Sequence, residues 1–336
     1  MTGTGFPGIT GCGEIIGQLR KAGENGRVSH AYLITGEEGC GKRTLSKAFA
    51  MMLLCEETDP ENRPCMKCSS CLRADAGNHP DLIFVTHENP RIISVGDIRS
   101  QVRDTVDIRP YEGGKKIYIL PEAEKMTVQA QNALLKTLEE PPEYVVFLLL
   151  STNPDILLTT IRSRCLRISM SPLPDSVVEQ YVREELKIPD YEAKVIAAYA
   201  QGNIGRAKKA AGEENFAEIR DRALALVKGI GRMNAAAIRE IVKTVAEQKN
   251  DIGKLLDIML ICYRDILYYK AAADIDRLVF SNETGLIREK AASISYTGLT
   301  DIIEAIEKCG TRLRANVSAE LSLELLLYAI RENSNA

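Results

Sequence analysis

The sequence carries no excess of positive charge, no apolar run of membrane length, no leader-like apolar core near its start, and no internal repeat or low-complexity stretch. Each absence closes a class. A formal net charge of −3 excludes a generally basic nucleic-acid coat, though not a local basic patch. Its apolar runs, Tyr144–Leu150 among them, fall far short of the ~20 residues that span a bilayer. In residues 1–30, glycine and charged residues interrupt every apolar cluster, so no signal peptide is expected and the chain is read as cytoplasmic, with no membrane partner. At roughly 150 residues per domain, a chain of 336 residues, 45% hydrophobic and 26% charged, is a soluble protein of two domains, or three if some are small. Nine cysteines in a reducing compartment are thiols or metal ligands rather than disulfides.

What is present begins with a short apolar strand, Ala31 to Thr35, running into Gly36-Glu37-Glu38-Gly39-Cys40-Gly41-Lys42 and then a helical pattern through Leu45, Ala48, Phe49 and Met52. This is the Gly-x-x-x-x-Gly-Lys core of a phosphate-binding loop in its strand–loop–helix setting. Gly36, Gly39 and Gly41 let backbone N–H groups turn inward around a phosphate, and Lys42 adds charge at the helix N-terminus. The position after the lysine should carry the hydroxyl that holds magnesium, yet it is Arg43, with Thr44 one residue late. The expectation is nucleotide (ATP or ADP) binding that is weak and without efficient hydrolysis. A chance Gly-rich turn is the plain alternative.

Cys55, Cys65, Cys68 and Cys71 follow in the spacing C-x9-C-x2-C-x2-C. Four thiolates so close together match a closed, structural zinc site with no open position for chemistry. An unligated or disulfide-bonded loop stays open as the alternative. His79 reads as a loop residue before Pro80. Ser94 to Asp97 has capping-box form and starts a helix on which Ile98, Val102 and Val106 face inward. Arg99 and Arg103 lie on its other side, where they could touch DNA phosphates or simply be solvated.

The stretch Lys115–Ile168 organises the rest. Two β-branched runs, Ile117 to Leu120 and Val145 to Leu150, read as buried strands. Between them Val128, Ala130, Ala133, Leu134 and Leu138 recur at helical spacing, closed by Pro141-Pro142. Glu122, Thr152 and Asn153 fall at the carboxyl ends of these strands, where an open α/β sheet binds its ligand. The first strand ends where a P-loop enzyme places its Walker B acids: the metal-holding acid is replaced by Pro121, and the second is present as Glu122. With Arg43, both groups expected to position Mg²⁺ are missing, so magnesium binding is doubtful and a competent ATPase is not expected. Beyond Pro172 only helical patterns occur, and Leu255–Tyr269 and Ser318–Ile330 are apolar on more than one side, as in a bundle core or an assembly surface.

Ser29-His30-Ala31-Tyr32, the Gly36–Lys42 loop, the four cysteines, the string Asn132 to Pro142 and Ser163-Arg164-Cys165 together resemble the bacterial clamp-loader ATPase family of the DNA polymerase III holoenzyme. The likeness covers about residues 6–212 by motif. It implies an α/β P-loop AAA+ domain with a RecA-like parallel sheet over residues 1–169, containing the zinc module (about 55–71). It also implies a small helical lid at 170–212 and an all-α collar at 213–336 that joins five subunits. By the same resemblance, Arg164 would be an arginine finger acting in trans, Thr152 or Asn153 the sensor-1 residue, and Arg206 the sensor-2 arginine. The partners implied are gamma/tau and delta subunits in a hetero-pentamer, with the sliding clamp and primer–template DNA reached through it. Gamma/tau subunits hydrolyse ATP. Arg43 and Pro121 instead suit a subunit that supplies Arg164 without turnover. An active ATPase of the gamma/tau type is the alternative, separable by measuring turnover. A zinc-dependent DNA-binding regulator would need a basic helix near the cysteines, where Glu56, Glu57, Asp59, Glu61 and Asp75 outnumber Arg63, Lys67 and Arg73.

Overall fold

The computed structural model describes residues 6, 8–112, 114–247 and 251–334. Its contacts divide the chain into two compact units. One runs to Leu173 and takes in Asn203–Gly205; the other holds Pro174–Gly202 and the chain from Arg206 onward.

The first unit is built on strands β1 (Ala31–Thr35), β2 (Leu82–Phe84), β3 (Lys116–Leu120), β4 (Val145–Ser151) and β5 (Leu166–Ser169). All pairings are parallel, in the order β2-β3-β4-β1-β5. The strands read as unbroken apolar runs because helices cover both faces of the sheet. Alternate residues go to opposite layers. Tyr32, Ile34, Ile117, Ile119, Val146 and Leu148 pack with helices α1 (Gly13–Glu24) and α2 (Lys42–Leu54). Ala31, Leu33, Tyr118, Leu120, Phe147 and Leu149 pack on the other side. There they meet the inner residues of α4 (Val95–Ile98), which follows α3 (Ser69–Ala76), and of α5 (Val128–Glu139). Ser94 and Asp97 cap α4 reciprocally, as expected. The helix continues as a π-helical turn over Arg99–Arg103, with both arginines exposed.

One detail of the helical spacing differs. Val128 shares the apolar period of α5 but is 57% exposed, because it is the first residue after the Thr127 cap and overhangs the sheet. Gln131 takes a core position in its place: its Oε1 accepts from the Leu158 N–H at 2.8 Å and its Nε2 donates to the Met126 carbonyl at 3.1 Å.

A short helix α6 (Thr159–Arg162) leads into β5. The second unit is helical: α7 (Asp175–Glu184), α8 (Asp190–Ala200), α9 (Ile204–Gly212, whose first residues group with the sheet unit), α10 (Phe216–Gly229), α11 (Ala235–Glu247), α12 (Ile252–Ala272), α13 (Thr284–Ser293), α14 (Tyr296–Arg314) and α15 (Ala319–Asn333). Helix α12 is buried nearly all round, from Leu255 and Leu256 to Tyr263 and Ile266, because α10, α13 and α14 surround it. Its Asp265 is buried and accepts from the Phe280 N–H at 2.7 Å. Among the described residues no helix is long and apolar enough to cross a membrane.

Candidate functional site

The phosphate loop occupies the carboxyl end of β1, beside the point where the strand order turns back, which is where doubly wound sheets bind ligands. Gly39 and Gly41 adopt φ of 84° and 98°, a region that favours glycine. A Cβ on Gly36 would meet the Cys40 sulfur at 2.7 Å and the Met170 carbonyl at 3.0 Å. The Lys42 ammonium donates to the carbonyls of Gly36 and Glu37, both at 2.7 Å, so it closes over the loop. Asn203 Nδ2 donates to the Glu38 carbonyl at 2.7 Å, and the Gly205 N–H to the Gly39 carbonyl at 3.0 Å. Arg43 and Thr44 are exposed, and the Arg43 guanidinium lies 5.3 Å from the centre of the Phe84 ring.

Because the sheet is parallel, Glu122, Thr152 and Asn153 lie on the same edge as this loop, each following its own strand. Pro121 gives the site no carboxylate. Glu122 turns into the left-handed region at φ 52° and is taken up by Lys125 Nζ at 2.5 Å and His87 Nε2 at 3.2 Å. The hydrogen bond from Lys125, then that from His87, holds its carboxyl below the usual range. Thr152 donates its N–H and its hydroxyl to Glu124 Oε1, at 3.2 and 2.5 Å. Burial pushes the Glu124 carboxyl up, but Thr152 and Ser151 outweigh it and leave it below its ordinary value. The other oxygen, Oε2, is buried without a hydrogen-bond partner. Asn153 Oδ1 accepts the Asp155 N–H at 3.2 Å and caps the turn Pro154–Ile156. Glu124, Lys125 and His87 were not singled out from sequence. The only local signal was polar residues one turn beyond a strand end.

Arg164 lies elsewhere. It precedes β5, whose Leu166 is level with Tyr32 of β1. Arg164 lies in the turn before β5, at the amino end of the sheet, whereas the phosphate loop follows the carboxyl end of β1. Its Nη2 meets Glu139 Oε1 at 2.9 Å, its Nη1 donates to the Thr160 carbonyl at 3.1 Å, and the side chain is 36% exposed. Arg206 belongs to the helical unit, where it pairs with Asp257 at 2.5 Å and stacks 4.2 Å above the Tyr199 ring.

The four cysteines do converge. The Sγ atoms of Cys55, Cys65, Cys68 and Cys71 all lie within 4.8 Å of one another. Zn–S bonds near 2.3 Å place tetrahedral sulfurs about 3.8 Å apart, so the set fits zinc with little movement. Backbone N–H groups already point at three sulfurs: Cys65 N–H to Cys55 at 3.3 Å, Cys68 N–H to Cys65 at 3.3 Å, and Cys71 N–H to Cys68 at 3.4 Å. Cys55 directly follows α2, while Cys68 caps α3. His79 is a loop residue outside the sulfur cluster, as expected, but a buried one. It is 4% exposed; its Nδ1 accepts the Asp81 N–H at 3.0 Å and its Nε2 lies 3.0 Å from the Ser70 hydroxyl, which donates to the Leu54 carbonyl at 2.7 Å. That chain of bonds ties the cysteine module to the end of α2.

A five-stranded parallel α/β sheet with a phosphate loop after β1, a four-cysteine insertion and a helical second part define a P-loop protein of the AAA+ class. Family models described as "DNA polymerase III, delta subunit" and "DNA polymerase III, delta subunit, C terminal" match residues 12–174 and 224–332. The DNA polymerase III subunit delta' of Bacillus subtilis (strain 168) is 30% identical over 313 residues, covering 92% of this chain and 93% of that one. The tau subunit of the same organism is 27% identical over 98% of this chain, which spans 62% of that protein. Among solved structures, a DNA polymerase III gamma subunit-related protein from Thermotoga maritima aligns over 95% of this chain and 100% of its own, with a TM-score of 0.48 and 21% identity. The chain belongs to the DNA polymerase III delta' subunit family.

Proposed function

We propose that this chain is the delta' subunit of a bacterial clamp loader and works as its non-hydrolysing arm. It joins gamma/tau and delta subunits in a cytoplasmic hetero-pentamer and supplies Arg164 to the triphosphate held by a neighbouring ATPase subunit. The complex then opens the sliding clamp and places it on primer–template DNA. One observation carries this reading: Arg164 lies in the turn before β5, at the amino end of the sheet, while the phosphate loop follows the carboxyl end of β1. A guanidinium so placed suits a phosphate held by another subunit better than one in its own loop. At the loop itself, Arg43 and Pro121 leave both magnesium positions without an oxygen ligand, and Glu122 is committed to Lys125 and His87.

On this reading Gly36, Gly39, Gly41, Lys42 and Thr44 hold a nucleotide loosely or only shape the domain. Thr152 and Asn153 stand in the sensor-1 position, and Arg206 in the sensor-2 position by its place in the order of motifs. We also keep the three-part organisation, with a lid over 170–212 and a collar from 213 that assembles the complex. The four thiolates of Cys55, Cys65, Cys68 and Cys71 hold zinc, which supplies no reactivity and orders a module too small to own a core.

Two measurements test the reading. The isolated chain with magnesium and ATP should show no turnover above background; robust turnover would make it an ATPase of the gamma/tau type. In the complex reconstituted with gamma/tau and delta, Arg164→Ala should slow hydrolysis at the one site it serves on the order of 10³-fold, lowering the total rate, while leaving assembly intact. An unchanged rate would remove the finger assignment.

A further inference from the structure

Helix α5 ends in an acid that its own stability does not explain. Glu139 is the last residue of α5, where a carboxylate faces the negative end of the helix dipole. Its side chain is 45% exposed, and among the described residues its ion-pair partner is Arg164. The position is rigid. Ala130, Leu134 and Leu138 of the same helix are buried, and after the C-cap Glu140 the pair Pro141-Pro142 keeps the helix from continuing. Arg164, by contrast, sits in the short connection between α6 and β5.

A guanidinium carries five N–H donors in a planar fork. Here one Nη1 hydrogen goes to the Thr160 carbonyl, and Nη2 forms an ion pair with the Glu139 carboxylate. The remaining N–H donors are enough to grip a phosphate while both contacts stay in place. An arginine without anchors spends its rotamer freedom when it meets its target. One already fixed from a helix end and a carbonyl does not.

From this geometry we infer that Glu139 is a positioning residue for the finger: it holds the Arg164 guanidinium in the orientation presented to the neighbour's triphosphate. The inference rests on the trans role proposed for Arg164 and deepens it. Glu139 touches no substrate and acts only through Arg164.

The test is steady-state ATP hydrolysis by the reconstituted complex carrying Glu139→Ala, Glu139→Gln, Arg164→Ala or the double substitution Glu139→Ala/Arg164→Ala, with assembly followed by size-exclusion chromatography. Glu139→Ala should lower kcat on the order of tenfold with KM for ATP unchanged, as a small misplacement of a catalytic group does. Glu139→Gln keeps the hydrogen-bond acceptor without the charge and should recover part of the loss; it is also the variant to read if the alanine form assembles poorly. The double substitution should be no slower than Arg164→Ala alone, since both changes remove one interaction. If Arg164→Ala slows the complex but Glu139→Ala matches wild type, the inference falls. A faster Glu139→Ala also overturns it, by showing that the carboxylate holds the finger back. If Arg164→Ala itself changes nothing, the finger assignment falls and takes this inference with it.

Discussion

Gly205→Ala should loosen the phosphate loop. A Cβ at Gly205 would lie 2.6 Å from the Gly39 carbonyl oxygen, 2.7 Å from Gly39 Cα and 3.0 Å from its carbonyl carbon. All three are backbone atoms of a tight turn, so no side-chain rotation relieves them. To reach ordinary contact the loop and the 203–205 segment must part by about 0.7 Å. Overpacking of that kind costs about 2 kcal/mol. Parting also weakens the Gly205 N–H to Gly39 hydrogen bond, 3.0 Å long, whose loss costs about 1 kcal/mol. Against this, alanine is the better helix former inside α9 by about 1 kcal/mol. The balance is a loss of about 2 kcal/mol, or about 4–8 °C in the melting of a unit this size. Gly212→Ala in the same helix is the control, since its Cβ would meet nothing within 4 Å. Calorimetry of the two variants measures the difference, and hydrogen exchange at the Glu38–Cys40 amides shows where it falls. If Gly205→Ala melts at or above Gly212→Ala, the claim that residues 203–205 brace the loop is wrong.

Gln131→Ala should cost about 2–3 kcal/mol in urea denaturation, because the Leu158 N–H and the Met126 carbonyl lose their buried partner; a loss below about 1 kcal/mol would refute the strut. Cys68→Ser, or a chelator, should release bound zinc, lower the melting temperature and speed exchange at the amides of α3, and a melting curve indifferent to chelation would remove the metal. Burial, then Arg73, lowers the His79 pKa below its ordinary value, against opposing pulls from Asp81, Glu112 and Glu56. The unfolded chain therefore binds the proton first: the His79 contribution is full above about pH 6.5 and is lost as pH falls below it, with a slope of at most about 1.4 kcal/mol per unit. Relative to His79→Gln, wild type should lose stability between about pH 7 and about pH 5, and parallel curves would contradict this.

The elements visible in the sequence were those whose cause is local. Residues 145–150 announced β4 because both faces are buried, which makes the run continuous. The loop Gly36–Lys42 and the Ser94–Asp97 cap carry their geometry in residue type. The cysteine spacing forecast a convergence that four thiols achieve. What stayed hidden depends on pairing across the fold. Glu124 finds Thr152 from 28 residues away, and Asn203 finds Glu38 from 165. No periodicity announces such partners. Period also misled once: Val128 fits the apolar stripe of α5 but stands beyond the edge of what the stripe covers, while Gln131, a polar residue, is enclosed.

These two kinds of residue meet at the phosphate loop, and on the proposed reading the expected lack of turnover has more than one local cause. Arg43 and Pro121 remove oxygen ligands, which a pair of substitutions could restore in principle. Glu122 is a different case. Its backbone sits in the left-handed region and its carboxylate is shared between Lys125 and His87. A base that must polarise water needs lone pairs turned toward the γ-phosphate, and here both oxygens already have cationic or hydrogen-bonding partners. Supplying the magnesium ligands alone would still leave the third group tied to Lys125 and His87. Arg164 lies at the other end of the strands from this loop, in the turn before β5. On the proposed reading the sheet separates two sets of groups: at the carboxyl ends of the strands Glu122 and Thr152 are tied into structure, while the finger proposed at Arg164 lies before β5.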